Sequence, residues 1–181
     1  MLYQIVAFLL DVATGLMGAA CLLRLYMQLQ RVPFGNPVGR FIFALTDWLV
    51  LPLRRVLPAI GRWDSASIAA VFLLELLRFG LLWLLAGGSA NPSLLPVLAL
   101  FGMLRLVISS VTGLMIVYVI LSWVQSGSPL ASIIERLCVP MLHPIRRLIP
   151  LVGGIDLSPL VLLVLLQIAA IVLDQVQRSV L

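Results

Sequence analysis

The sequence predicts an all-α membrane protein in which four transmembrane helices form two parallel repeats. Composition is the first reason for this fold class. The chain of 181 residues is 62% hydrophobic and only 10% charged, with a mean hydropathy of +1.18, whereas a soluble domain carries about 25% charged residues. The second reason is a motif that occurs at residues 52–64 and again at residues 144–156. Such a duplication predicts two copies of one structural unit.

The duplicated motif has the pattern P-x-R-R-x-(L/I)-P-x-x-G-x-x-D, and its specialised residues coincide at an offset of 92 positions. Each copy lies between long apolar runs, so we expect the motif at the boundary between membrane and water. The first copy contributes Pro52, Arg54, Arg55, Pro58, Gly61 and Asp64. The second copy contributes Pro144, Arg146, Arg147, Pro150, Gly153 and Asp156.

The first repeat is predicted to comprise residues 1–88. An apolar run at about residues 2–27 is long enough to cross a ~30 Å hydrocarbon core at about 1.5 Å per residue. Asn36-Pro37 predicts the start of a short amphipathic helix, because asparagine caps helices and proline suits the first helical position. This helix is predicted over residues 37–51, where Pro52 breaks it, and its length fits the membrane interface. The motif then forms a loop before a second span at residues 65–86.

The second repeat, residues 89–181, follows the same plan. Its spans are predicted at residues 94–123 and 157–173, with an interfacial helix at residues 129–142 and a motif loop at residues 144–156. Ser128-Pro129 starts the interfacial helix, whose polar residues recur at helical spacing and predict one polar face. Small residues four positions apart predict close approach between the first and third spans. These small residues are Gly15 and Ala19 in the first span and Ser109 and Gly113 in the third.

The distribution of arginines predicts the orientation in the membrane. All 12 basic residues are arginine, and eight of them lie in or beside the two motif regions. Arg178 is the one arginine near the opposite ends of the spans. Because positively charged loops remain in the cytoplasm, this asymmetry places both motif loops inside and both termini in the periplasm.

Two copies of a span, a short amphipathic helix, the arginine motif and another span resemble the YggT family of small bacterial inner-membrane proteins, which has relatives in plastids. The resemblance covers nearly the whole chain. It implies localisation in the inner membrane and no established catalytic activity. It also implies a connection with osmotic-stress tolerance, with cell division or nucleoid distribution, or with assembly of membrane complexes. Outside the shared motif residues, His143 of the second copy stands where the first copy has Leu51. A histidine-dependent activity is therefore not supported by both halves.

The paired arginines allow three interpretations. Arg54, Arg55, Arg146 and Arg147 could act only as topology determinants, could dock lipid phosphates or partner proteins, or could recognise an anionic substrate. Guanidinium groups bind phosphate in a bidentate manner, and the motif is expected at headgroup depth. The excess of arginine in an apolar chain favours anionic lipid headgroups over nucleic acid as a partner.

The remaining motif residues are predicted to have structural roles. Asp64 and Asp156 precede spans, so each can cap the helix that follows or pair with the motif arginine. Gly61 and Gly153 are expected to supply turns with positive φ. The prolines are expected to stop helices.

Four charged residues lie within the predicted spans, where an ionised group is costly and is a functional candidate. Glu75 and Arg78 lie three positions apart on one helix and can pair. Asp11 and Arg105 are nearly level by the repeat offset, which predicts an ion pair between the repeats. The alternative is an ion or proton path through the four charges.

The sequence favours a non-enzymatic function. It contains no Ser/His/Asp set, glycine-rich phosphate loop or His/Cys cluster, so we expect no catalytic site, metal or cofactor. The first hypothesis is a scaffold or assembly factor whose cytoplasmic arginines contact anionic lipid headgroups or membrane and cell-division proteins, without direct nucleic-acid binding. The second is a small transporter or channel component linked to osmotic stress.

Overall fold

The computed structural model describes residues 1–59, 61, 63–88, 91–124, 128–149 and 156–180, and these residues form six α-helices. A short 3₁₀ turn, Pro92–Leu94, precedes the fourth helix. The helices are α1 (Leu2–Leu29), α2 (Pro37–Val56), α3 (Ser65–Leu85), α4 (Leu95–Val124), α5 (Pro129–Leu148) and α6 (Ser158–Val180).

Helices α1, α3, α4 and α6 are long and apolar enough to cross a membrane, which confirms the four predicted spans. Their bounds lie within two residues of the predicted ones except at the end of α6. That helix continues from Leu173 to Val180. The polar residues Asp174 and Gln177 do not end it, because their side chains hydrogen-bond to Arg105 on α4.

The spans are antiparallel within each repeat and parallel between repeats. Arg24 near the end of α1 lies beside Asp64 at the start of α3, and Arg146 joins Tyr118 near the end of α4 to Asp156 before α6. The face that carries these contacts is called the arginine side below, and the opposite face is called the terminal side.

The amphipathic helices α2 and α5 begin as predicted. The Asn36 side chain accepts a hydrogen bond from the Gly39 backbone at 2.8 Å, and Ser128 accepts one from Ala131 at 3.2 Å. Each helix then buries one face by residues three or four positions apart. These residues are Ile42, Thr46 and Val50 on α2 and Ile134, Cys138 and Leu142 on α5.

The predicted ends of these two helices were wrong. Helix α2 runs through Pro52 to Val56, and α5 runs through Pro144 to Leu148. Pro52 lies on the exposed face, where the carbonyl group that loses its hydrogen bond can face solvent or headgroups. Both helices end before the second proline of their motif copy. The residues that precede these prolines, Leu57 and Ile149, have ψ values of 85° and 110°, because helical geometry is disfavoured for a residue that precedes proline. The motif arginines therefore lie on the last helical turn rather than in a loop.

The repeats meet mainly where α4 packs on α3, and also where α1 approaches α4 and α5. Met27 of α1 and Ile133 and Leu137 of α5 belong to one buried cluster, and the Tyr26 hydroxyl donates a hydrogen bond to the Leu137 carbonyl oxygen at 2.8 Å. The small residues that were predicted to bring α1 and α4 close together do not form the contact between these helices. They line an apolar groove of about 740 Å³ between α1 and α4. Gly18 makes the close approach instead, because a Cβ atom there would collide with Leu106.

Candidate functional site at the arginine motifs

In both repeats the first arginine of the motif is bound to the motif aspartate. Arg54 Nη2 donates to Asp64 Oδ2 at 2.5 Å, and Arg146 Nε donates to Asp156 Oδ2 at 2.8 Å. Asp156 Oδ1 also accepts a hydrogen bond from the Ser158 backbone at 2.9 Å, at the start of α6. Asp156 therefore performs both roles considered from the sequence, whereas Asp64 makes no side-chain capping bond to α3.

The second arginine of each motif has a different environment. Arg55 and Arg147 are exposed on the last turns of α2 and α5. Neither has an ion pair or a side-chain hydrogen bond within the described ranges. A cation at a helix C-terminus is favoured by the helix dipole. Each motif thus combines one guanidinium that holds the fold together with one that is free to contact a ligand.

The first repeat also contains a buried arginine that the sequence reasoning missed. Arg24 of α1 is only 3% exposed. Its Nη1 atom donates to Asp47 Oδ1 at 2.7 Å and to Thr46 Oγ1 at 2.8 Å. The guanidinium carbon lies 4.6 Å from the centroid of the Phe43 ring, which adds a cation–π contact. A single arginine in an apolar span was the available signal, because such residues usually have buried partners.

Asp64 connects Arg24 to the motif. Its side chain is fully buried, and its Oδ2 atom lies 3.9 Å from Arg24 Nε and accepts a hydrogen bond from the Ser67 hydroxyl at 2.8 Å. With Asp47 and Arg54, the group contains two positive and two negative charges. This ion network, defined by the buried Arg24 and Asp64 and the partly exposed Asp47 and Arg54, joins α1, α2 and the start of α3.

The second repeat lacks this network. At the repeat offset, Ile116, Cys138 and Val139 stand in place of Arg24, Thr46 and Asp47. There the Tyr118 hydroxyl accepts a hydrogen bond from Arg146 at 3.2 Å instead. Burial raises the pKa of the Cys138 thiol to about 12, so this side chain is a neutral core residue.

Asp156 is partly exposed, unlike Asp64. Its partial burial raises its pKa, but the hydrogen bonds from Ser158 and Arg146 outweigh this effect, so the pKa of Asp156 lies below its usual value. The carboxylate is therefore ionised at neutral pH and holds Arg146 in place.

The predicted ion pair between Asp11 and Arg105 was wrong. Asp11 Oδ1 accepts a hydrogen bond from Arg78 Nε at 2.6 Å, and Arg105 pairs with Asp174 on α6. The reason is the register between α1 and α4. Gly18 lies against Leu106, 88 positions later, so Asp11 is level with Ala99, and Arg105 lies about 9 Å further along α4. The predicted pairing of Glu75 with Arg78 is confirmed, at 3.0 Å.

The charged pairs of the spans therefore lie within repeats. In the first repeat the first span carries the acid and the second span carries the base, as Asp11 and Arg78. In the second repeat the order is reversed, as Arg105 and Asp174. The predicted path through all four charges would have to cross between two separate ion-paired groups.

The other motif residues are placed as follows. Gly61 has a φ of +64°, as predicted, and Pro58 follows Leu57, whose ψ of 85° is not helical. Pro150 and Gly153 lie outside the described residues, so their predicted roles stay predictions. Among the described residues, no cluster of three or more His, Cys, Asp or Glu side chains is placed to hold a metal ion.

Comparison with known proteins identifies relatives along nearly the whole chain. The family model of CCB3/YggT matches residues 3–85 and 97–177. An uncharacterised protein YggT of Escherichia coli strain K12 is 37% identical over 89% of this chain and 85% of its own length. An uncharacterised protein from the proC 3′ region of Vibrio alginolyticus is 37% identical over 90% of both chains. One from Haemophilus influenzae is 35% identical over 80% of this chain and 78% of its own length.

No solved structure matches the chain. The family model matches twice, once in each half, and these two segments contain every described contact of the motif arginines. The chain belongs to the CCB3/YggT family.

Proposed function

We propose that this protein is a non-enzymatic membrane scaffold or assembly factor whose exposed motif arginines, Arg55 and Arg147, contact anionic lipid headgroups. The observation that carries this proposal is the division of roles within each arginine pair. In two repeats with different surroundings, the first guanidinium is bound to aspartate and the second is exposed without a partner in the described part of the chain. A guanidinium at the membrane surface suits bidentate contact with a phosphate.

The exposed face of α2 supports contact with lipid. Phe41 and Trp48 are each 61% exposed, and Arg55 follows them at the same seven-residue spacing. The three side chains therefore share one face of α2. An exposed aromatic stripe on an amphipathic helix is typical of a helix that lies in the membrane interface. In that position Arg55 would be held at the depth of the lipid phosphates.

The test replaces Arg55 and Arg147 with Gln and measures phosphatidylglycerol and cardiolipin that co-purify from native membranes. Each arginine near a charged membrane surface contributes ~1 kcal/mol, so we expect a clear decrease in retained anionic lipid. Arg178→Gln is the control, because Arg178 is an exposed arginine at the terminal side. Unchanged lipid retention with unchanged thermal stability would show that these arginines do not bind lipid, and would leave them as topology determinants only. Loss of a co-purifying protein with unchanged lipid would indicate partner docking instead.

We also propose the bacterial inner membrane as the location, with the arginine side in the cytoplasm and both termini in the periplasm. Six exposed arginines lie on the arginine side of the described chain: Arg31, Arg40, Arg55, Arg136, Arg146 and Arg147. Their excess over Arg178 supports this orientation by the positive-inside rule.

A small transporter or channel component is the second candidate, and one observation favours it. Glu75 is 2% exposed, and its carboxylate is joined through Arg78 to the half-exposed Asp11. This chain of charged groups connects the packed contact between α3 and α4, where Glu75 lies against Gly102, to the surface of the first repeat. Under this candidate, proteoliposomes should release a trapped solute after osmotic downshift, and Glu75→Gln should abolish the release. Absence of release from the unmodified protein would reject it.

A further inference from the structure

The end of α1 and the polar edge of α5 enclose a cleft of about 380 Å³ between the two repeats. Arg31 lines it from the first repeat, and Glu135 and Arg136 line it from the second. All three side chains are exposed, and none has an ion pair among the described residues. The cleft therefore combines two guanidinium groups and one carboxylate, none of them neutralised by the protein itself.

The backbone at Arg31 indicates that this side chain has a specific role. Helix α1 ends in a Schellman motif, with the Val32 N–H bonded to the Met27 carbonyl oxygen at 3.0 Å and the Arg31 N–H bonded to that of Gln28 at 3.2 Å. Arg31 takes the left-handed position of this motif, with a φ of +53°. Glycine is the favoured residue there, and a strained arginine is a reason to look for function.

Helix α3 provides the comparison within the same molecule. It ends in the same pair of hydrogen bonds, from Gly88 to Trp83 and from Gly87 to Leu84, and the left-handed position is held by Gly87 with a φ of +87°. The fold therefore uses glycine where only the turn is required. At the end of α1 an arginine takes this position despite its backbone cost.

The two sides of the cleft are held in a fixed relation. The Tyr26 hydroxyl bonds to the Leu137 carbonyl oxygen of α5 at 2.8 Å, and Gln30 donates to the same hydroxyl at 3.2 Å. Val32 is buried in the cluster that contains Leu137. Arg31 and Arg136 thus line one cleft from repeats that are packed together, so the backbone positions that carry the two guanidinium groups are fixed relative to each other.

We propose that this cleft binds the headgroup of a zwitterionic aminophospholipid, phosphatidylethanolamine. The two guanidinium groups match the phosphate diester, and the Glu135 carboxylate matches the primary ammonium group. The same carboxylate repels a purely anionic headgroup such as phosphatidylglycerol. This site goes beyond the anionic contacts proposed for Arg55 and Arg147, because it lies on different residues and selects a different headgroup.

The test titrates the purified full-length protein in detergent with phosphatidylethanolamine and with phosphatidylglycerol of identical acyl chains, and counts bound lipid by native mass spectrometry. The unmodified protein should prefer phosphatidylethanolamine. Arg31→Asn removes the guanidinium while asparagine tolerates the left-handed backbone. It should weaken phosphatidylethanolamine binding about fivefold, as should Arg136→Gln. Glu135→Gln should shift the preference to phosphatidylglycerol.

Arg40→Gln is the matched control, because Arg40 is exposed on α2 and does not line the cleft. Equal binding of the two lipids by the unmodified protein, or an unchanged preference in Glu135→Gln with intact thermal stability, would overturn the proposal. Displacement of the lipid by soluble phosphoethanolamine at equal concentration would overturn its assignment to a lipid.

Discussion

At the residue scale, the buried charges of the first repeat are stable because each has a partner of opposite sign. Arg24 and Asp64 are enclosed by α1, α2 and α3, and with Asp47 and Arg54 they form a neutral group. The corresponding aspartate in the second repeat, Asp156, has a side chain that is 29% exposed. The same motif position is therefore a buried part of a network in one repeat and a partly hydrated ion pair in the other.

This contrast predicts unequal effects of one substitution at the two motif aspartates. Asp64→Asn removes the fully buried carboxylate that pairs with Arg54 and lies beside the buried Arg24, and it leaves Arg24 with Asp47, so it should cost about 3 kcal/mol of unfolding free energy. Asp156→Asn should cost about 1 kcal/mol or less, because water screens a partly exposed pair. Thermal unfolding in detergent would measure both. Equal losses at the two positions would contradict the distinct roles of the two sites.

At the scale of helices, the ion pairs within spans fasten the two spans of each repeat to each other. Arg105 on α4 contacts Asp174 on α6, whereas Asp11 on α1 contacts Arg78 on α3. The amphipathic helices α2 and α5 are held against the spans in a different way. Each buries one face, and the first arginine of its motif, Arg54 or Arg146, binds the motif aspartate. In the first repeat the two kinds of contact meet in the ion network, where Arg24 and Asp64 connect α1 and the start of α3 to α2.

Double-mutant cycles should distinguish charged residues that form an ion pair from charged residues that do not contact each other. Arg105→Gln and Asp174→Asn should show a coupling energy of about 0.5–3 kcal/mol, since residues in direct contact are not additive. Arg105→Gln combined with Asp11→Asn should be additive to within about 0.5 kcal/mol, since the two residues have different partners. The readout is thermal stability in detergent. Coupling in the second cycle and none in the first would support contact between the repeats at these charges.

The sequence predicted local features well and contacts between helices poorly. Hydropathy identified the spans, and the caps at Asn36 and Ser128 followed from residue type alone. The partners of Asp11 and Arg105 depend on the register between spans, which Gly18 determines by its contact with Leu106. A repeat offset measures similarity between halves and does not give that register. Pro52 was taken for a helix end because its position on the exposed face is known only from the fold.

At the scale of the whole molecule, the two repeats are packed together but differ in how much of their surface they cover. In the most apolar windows of α1 and α3, 22% of the residues are buried inside the protein, against 6% in those of α4 and α6. The second repeat therefore leaves more of its span surface available to lipid or to another protein. The arginine side, by contrast, has exposed arginines from both repeats.

The proposed orientation makes a prediction for the intact protein in cells. In a background without Cys21 and Cys138, a cysteine at Ser179 on the terminal side should react with a membrane-impermeant maleimide in intact spheroplasts. A cysteine at Ser132, which is exposed on α5, should react only after permeabilisation. The reverse pattern would invert the topology, and labelling of both positions in intact cells would contradict a single orientation.

The reversed order of the charged pairs has a consequence for how the chain assembles as it enters the bilayer. When α6 inserts, Asp174 is attracted by Arg105 of α4 and repelled by Asp11 of α1, while Arg78 of α3 is repelled by Arg105. Exchange of α3 and α6 between the repeats would set like charges against each other at both positions. The two repeats thus carry the acid and the base of their ion pairs in opposite order. This opposite order favours pairing of α3 with α1 and of α6 with α4, the first span of the same repeat in each case.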